Sequence, residues 1–201
     1  MISKQILCLN LQIKQCTNCS LHQTRNNTVP GEGSIESNIM FIGEGPGYHE
    51  DKSGRPFVGI SGQFLDDLLL GIGLSKEKVF LTNILKCRTP QNRDPLQSEI
   101  ISCNKYLDEQ IKLINPRLIV TLGRFSTAKF ISFKRISDIR GKLIWKDNRY
   151  IYPIMHPAAA LHNPNLKDNI IKDFRKIPDI LKMNPIINII SDNQGEQIRL
   201  L

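Results

Sequence analysis

An α/β fold, one parallel sheet with helices on both faces, is predicted by two observations. Four short apolar runs read as buried parallel strands, at 39–42 (IMFI), 79–81 (VFL), 118–122 (LIVTL) and 150–154 (YIYPI). Helix-patterned segments fill the spaces between and after them, which is the alternation a βαβ chain requires.

The helices have their own boundary signals. Segment 61–70 (SGQFLDDLLL) has helical spacing and stops at Gly71 and Gly73, while 97–114 stops at Asn115-Pro116, where the proline ring prevents the helix from continuing. A short helical pattern at 124–131 comes after the third run, and a longer one at 167–181 after the fourth. The 201 residues suit one domain, expected over 1–182, with a tail at 183–201 that is rich in Ile and Asn and has no assignable role. No apolar run is long enough to cross a bilayer and the N-terminus has no signal-type segment, so a cytoplasmic protein is expected. With 27 basic against 19 acidic residues the net charge is +8, which favours a polyanionic partner but is equally compatible with a plain basic surface.

The residues just past each strand carry the functional information. The first strand runs into Gly43-Glu44-Gly45-Pro46-Gly47, the second into Thr82-Asn83, the third into Gly123-Arg124 and the fourth into Met155-His156-Pro157. Ligands of open α/β sheets bind beyond the carboxyl ends of the strands, so Glu44, Asn83 and His156 are expected to converge there. The glycine loop fits neither GxGxxG nor GxxxxGK[ST], and Pro46 removes an amide that a phosphate cradle would use, so a nucleotide site is not expected. The loop offers close backbone approach, and Phe57 in the stiff stretch RPFVG offers a face on which a flat ring could stack.

Five cysteines in a chain without an export signal point to metal or redox chemistry before disulfides. Cys16 and Cys19 form a CxxC pair, Cys87 and Cys103 stand far downstream, and Cys8 is left over as a free thiol. Four thiolates would suit zinc or an iron–sulfur cluster. The spacing leaves both open, along with a bare CxxC redox pair beside two small core cysteines.

Taken together, GEGPGYHEDKSGRPFVGISGQFLDDLL, TNILKCRTP, the CxxC pair, Cys103 and MHPAAALHNP resemble the family 4 uracil-DNA glycosylases, collinearly from about residue 16 to residue 181. The resemblance implies a three-layer α/β/α sandwich around a four-stranded parallel central sheet. It also implies a [4Fe-4S] cluster, in a structural role, on Cys16, Cys19, Cys87 and Cys103. The implied activity is excision of uracil from DNA, with Gly43, Glu44, Gly45, Phe57, Asn83 and His156 around the base. Phe57 would stack on the flipped uracil, Asn83 would read its edge, His156 would support the leaving group and Glu44 would position water. Glu50 would exclude thymine. Leu161 and His162 would enter the DNA stack, with the departure that family members commonly carry arginine where this chain has His162. Arg55, Arg88, Arg93, Arg124 and Lys167 are candidates for contacts to the DNA backbone. Uracil-containing DNA is the expected partner of a monomeric chain.

Overall fold

The computed structural model describes residues 2–133 and 135–183, so the tail expected at 183–201 lies outside the described residues from residue 184 onward. Six strands form one mixed sheet in the order β1-β3-β2-β4-β6-β5. Its centre is the predicted parallel set: β2 (Ile39–Gly43), β3 (Phe80–Asn83), β4 (Leu118–Leu122) and β6 (Arg149–Ile154). The expectation of four strands is corrected at both edges, where β1 (Glu32–Gly33) and β5 (Ile144–Lys146) add antiparallel pairs. Strands of two and three residues are too short to carry a period, and they cap the sheet without extending its core.

Helices cover both faces. In chain order the described residues form α1 (Ile2–Lys14), α2 (Tyr48–Ser53), α3 (Ile60–Leu70), α4 (Gln97–Ile114), α5 (Arg124–Ala128), α6 (Ile136–Ile139), α7 (Ala158–His162), α8 (Lys167–Arg175) and α9 (Ile177–Lys182). The single helix expected at 167–181 is two, because Pro178 at the start of α9 lacks the amide that would bond back into α8. None of the described helices is long and apolar enough to cross a membrane.

Side chains alternate across the pleat and so build two cores. On one face Phe41, Leu81, Val120 and Tyr152 pack with α3, α8 and α9. On the other Met40, Ile42, Phe80 and Ile119 pack with α1 and α4. The last two residues of β3 divide between these faces, Thr82 toward α4 and Asn83 toward the first core.

Candidate active site and cysteine cavity

The crevice is built where β2 and β3 end side by side, with Gly43 opposite Asn83 in the register. Backbone bonds continue past the strands, Ile84 N donating to Gly43 O and Leu85 N to Glu44 O, each at 3.0 Å, so the glycine loop is held against the β3 exit. A Cβ on Gly43 would stand 2.4 Å from Asn83 Oδ1 and 2.8 Å from Phe57 Cζ, which means both side chains lie directly over this glycine. Asn83 is only 2% exposed, and its side-chain oxygen faces Gly43. Phe57 is 5% exposed, and its ring faces His156 with centroids 6.3 Å apart and planes 27° from parallel.

Phe57 holds a left-handed backbone, φ 52°, which a bulky residue adopts only when its surroundings enforce it. Lys76 Nζ donates to Phe57 O at 2.6 Å, and α3 passes so close that a Cβ on Gly62 would come within 2.0 Å of that same oxygen. Glu50 fixes the loop from the other side. Its carboxylate accepts from Gly47 N at 3.1 Å, Val58 N at 2.9 Å and Gly59 N at 2.8 Å, bracketing Phe57.

His156 sits on the loop after β6. Its Nδ1 accepts from the Ala158 amide at 3.1 Å, so the proton of the neutral ring is on Nε2. Burial pushes its pKa down to about 4, partly opposed by the nearby Glu50 charge. Glu44 is half-buried and its pKa is raised, first by desolvation and then by Asp94, with Arg124 acting the other way. Arg124 is itself ion-paired to Asp94 at the edge of the crevice.

The CxxC pair and the two downstream cysteines meet on the opposite face. Cys16, Cys19, Cys87 and Cys103 line one cavity together with Ile13 and Tyr106, and all four are free thiols. Cys8 is exposed and apart from them. Arg25 Nη1 donates to Cys87 Sγ at 3.2 Å, and the Lys86 amide to Cys103 Sγ at 3.3 Å, so both sulfurs already have donors arranged as for a thiolate. Burial raises the Cys103 pKa to about 11 and also raises that of Cys87, so metal binding here would displace protons. Among the described residues no three His, Cys, Asp or Glu side chains converge tightly enough to hold a single ion. Four thiols lining one cavity are the donor set of an iron–sulfur cluster, in which each thiolate would take a separate iron.

Residues 30–176 match the family model of the uracil DNA glycosylase superfamily. The chain is 48% identical over 179 residues to the type-4 uracil-DNA glycosylase of Sulfurisphaera tokodaii, covering 84% of this chain and 81% of the relative. It is 45% identical to the enzyme of that name from Saccharolobus solfataricus (87% and 86% covered) and 43% identical to that from Archaeoglobus fulgidus (84% and 89%). The chain belongs to the type-4 uracil-DNA glycosylases.

The structure brings Gly43, Phe57, Asn83 and His156 together at one crevice, with Glu44 and Gly45 continuing the loop past Gly43 toward Arg124 and Leu85, and gathers the four cysteines at one cavity. Leu161 and His162 stand at the end of α7, both exposed and Leu161 48% so, beyond His156 and clear of the crevice floor. Of the five candidate cations, Arg55, Arg93 and Arg124 are ion-paired to Glu32, Glu99 and Asp94. Arg88 lies over the Tyr48 ring and Lys167 over Phe64.

Sequence reasoning missed Lys86, which KCR makes look like a surface lysine. It is 1% exposed, and its Nζ donates to Thr82 Oγ1 at 2.6 Å, Gln110 Oε1 at 2.7 Å and Asn83 O at 2.8 Å. Burial lowers its pKa to about 7. One side chain thus ties the β3 exit to α4, between the crevice and the cysteine cavity.

Proposed function

We propose that this chain flips uracil out of DNA and hydrolyses its N-glycosidic bond, leaving an abasic site for base excision repair. The observation that carries the reading is the nearly buried Asn83 amide beside the Phe57 ring over Gly43. Uracil complements that amide: its N3–H meets the amide oxygen and its O4 meets the amide NH2. Cytosine presents the reverse pattern and is rejected. Phe57 stacks on the extruded ring.

As the bond breaks, negative charge grows on uracil O2 and positive charge on the sugar. His156 is neutral, and its Nε2–H is free to donate to O2 because Ala158 occupies Nδ1. The amides of residues 43–45 add donors, the logic of an oxyanion hole applied to a leaving base. Glu44, made more basic by desolvation, positions the attacking water. Glu50 excludes thymine, and its three amide bonds support this role, since a wall against a C5-methyl must not yield. Leu161 and His162 enter the stack to hold the opened duplex.

Cys16, Cys19, Cys87 and Cys103 would hold a [4Fe-4S] cluster, which when bound supplies cross-linking of the N-terminal segment, the β3 exit and α4. Hydrolysis needs no electron from it. The same reading has the chain act as a monomer in the cytoplasm, where unpaired cysteines stay reduced.

The test is release of free uracil from single-stranded and U:G DNA. The wild-type chain is expected to release it, and Asn83→Asp, which turns a donor into an acceptor facing O4, is expected to lose about 10²-fold or more. DNA binding without uracil release from either substrate would overturn the reading.

A further inference from the structure

The glycine loop does not end in ordinary surface. Directly after Gly47 stands Tyr48, 46% exposed, the first residue of α2. Lys52 Nζ lies 4.7 Å from its ring centroid and the Arg88 guanidinium 5.2 Å, while His49 meets the ring edge-on at 5.4 Å. Three facts distinguish this group from a tyrosine covered by whatever cations lie nearby. First, its members come from both walls of the crevice: Tyr48 continues the loop after β2, Arg88 continues the chain after β3, and the two segments touch, a Cβ on Gly45 coming within 3.4 Å of Leu85 Cβ. Second, neither Lys52 nor Arg88 forms an ion pair among the described residues, whereas Arg55, Arg93 and Arg124 each do. Third, a large ring stays half in water although Glu50 and Asp51 of the same helix are buried and bonded. Asp51 accepts from Asn26 N at 2.9 Å and Glu50 clamps the loop, so the helix that presents the ring is anchored at its base.

From this we infer that Tyr48, flanked by Lys52 and Arg88, is a stacking site for the base next to the extruded uridine, the cations holding the phosphates on either side of that base. An exposed ring between unneutralised cations is how proteins grip a single strand without reading its sequence, because every base has a face to stack and every linkage carries a charge. The inference rests on the glycosylase reading for the location of the uridine, and adds to it a second point of grip on the strand.

The experiment uses the full chain and single-stranded oligonucleotides with one uridine, in which either neighbouring nucleotide in turn carries its base or an abasic spacer. On the fully based strand Tyr48→Ala is expected to lower kcat/KM for uracil release about tenfold, the range stacked bases show on alanine substitution, while Tyr48→Trp retains activity. With the spacer at the correct neighbour, wild type and Tyr48→Ala should converge, because the partner of the ring is gone; this cycle isolates the pair. Anisotropy with a uracil-free strand should show the salt slope unchanged in Tyr48→Ala and reduced by roughly 0.7 in Lys52→Ala, the single-strand value per phosphate. An equal loss on based and spacer strands, or no loss on either, overturns the inference. Inhibition by free uracil should be the same in wild type and Tyr48→Ala, and a change there would mean a damaged pocket and also overturn it. If the wild type releases no uracil at all, the glycosylase reading fails, while the anisotropy Kd still reports the grip of Tyr48: Tyr48→Ala should weaken binding to the fully based strand and not to the spacer strand, and equal Kd values on the based strand overturn the inference.

Discussion

On one face of the sheet Phe41, Leu81, Val120 and Tyr152 meet α3, α8 and α9 through aliphatic and aromatic side chains, Phe41 and Phe174 stacking at 5.9 Å and 9°. On the other, Met40, Ile42, Phe80 and Ile119 meet α1 and α4, and this core also contains four free thiols around a cavity and, beside it, a buried lysine. The crevice belongs to the first face and the cysteines to the second. The first face is closed by apolar packing and by polar ties at Asp173, which accepts from the Tyr152 hydroxyl at its backbone oxygen and pairs with Arg140, and the other leaves part of its closure to cysteine sulfur and whatever binds there. The two faces are tied at the β3 exit, where Lys86 bonds Asn83 O and its own amide bonds Cys103 Sγ.

The strongest way to break this comparison is to remove one ligand from the second face. Cys103→Ser is expected to lose iron and the visible absorption, and to destabilise the protein by several kcal/mol, because a structural metal centre supplies roughly 10 kcal/mol or more of folding energy. Hydrogen exchange should then accelerate in α1 and α4 while α3 and α8 stay protected. Phe174→Ala, a change on the first face, is expected to cost about 3–5 kcal/mol but keep its iron. Uniform loss of protection in Cys103→Ser would show that the two faces are one unit.

Lys86→Met probes the link between them. It removes the donor from Asn83 O and from the Thr82–Gln110 pair, and is expected to cost about 1–3 kcal/mol and lower uracil release about tenfold. Thermal unfolding and kcat/KM check this together. Lost stability with unchanged release would confine Lys86 to packing.

The smallest effect is a pH dependence on the first face. Because the pKa of His156 falls in the folded chain from the ordinary 6.5 to about 4, its stabilising contribution is complete above pH 6.5 and is lost as pH falls through 4. The rate of uracil release should fall over the same acid limb, as protonation takes away the neutral ring. Glu44 also titrates on the acid side, so the profile is measured in Glu44→Gln: a limb near pH 4 in its residual activity belongs to His156.

The four central strands were legible because buried parallel strands leave continuous apolar runs, and 118–122 matches β4 residue for residue. The edges β1 and β5 left no such trace. Helix α1 escaped notice because exposed Leu7 and Leu11 interrupt the stripe of Ile6, Leu9 and Ile13. Among site residues, the strand ends located Glu44, Asn83 and His156, since topology alone brings strand ends together. The amide bonds of Glu50 were hidden, because a carboxylate bonding amides eight and nine positions onward has no local signature. Lys86 was hidden for a related reason: nothing in a KC dipeptide reveals that the amine turns inward to three oxygens.

The two glycines pressed against Phe57 set the terms on which this pocket can change over evolutionary time or in an engineer's hands. Position 43 has no room for a methyl group beside Asn83 and Phe57, and position 62 has none beneath the Phe57 carbonyl. Any heavier residue at either site would push the Phe57 ring or its backbone out of place. On the proposed reading, variation in base preference is thereby channelled to position 83 first, and to position 50 only where a replacement keeps the amide bonds that its carboxylate makes to the loop. Libraries that seek a glycosylase for another lesion on this scaffold should spend their diversity there and leave both glycines alone.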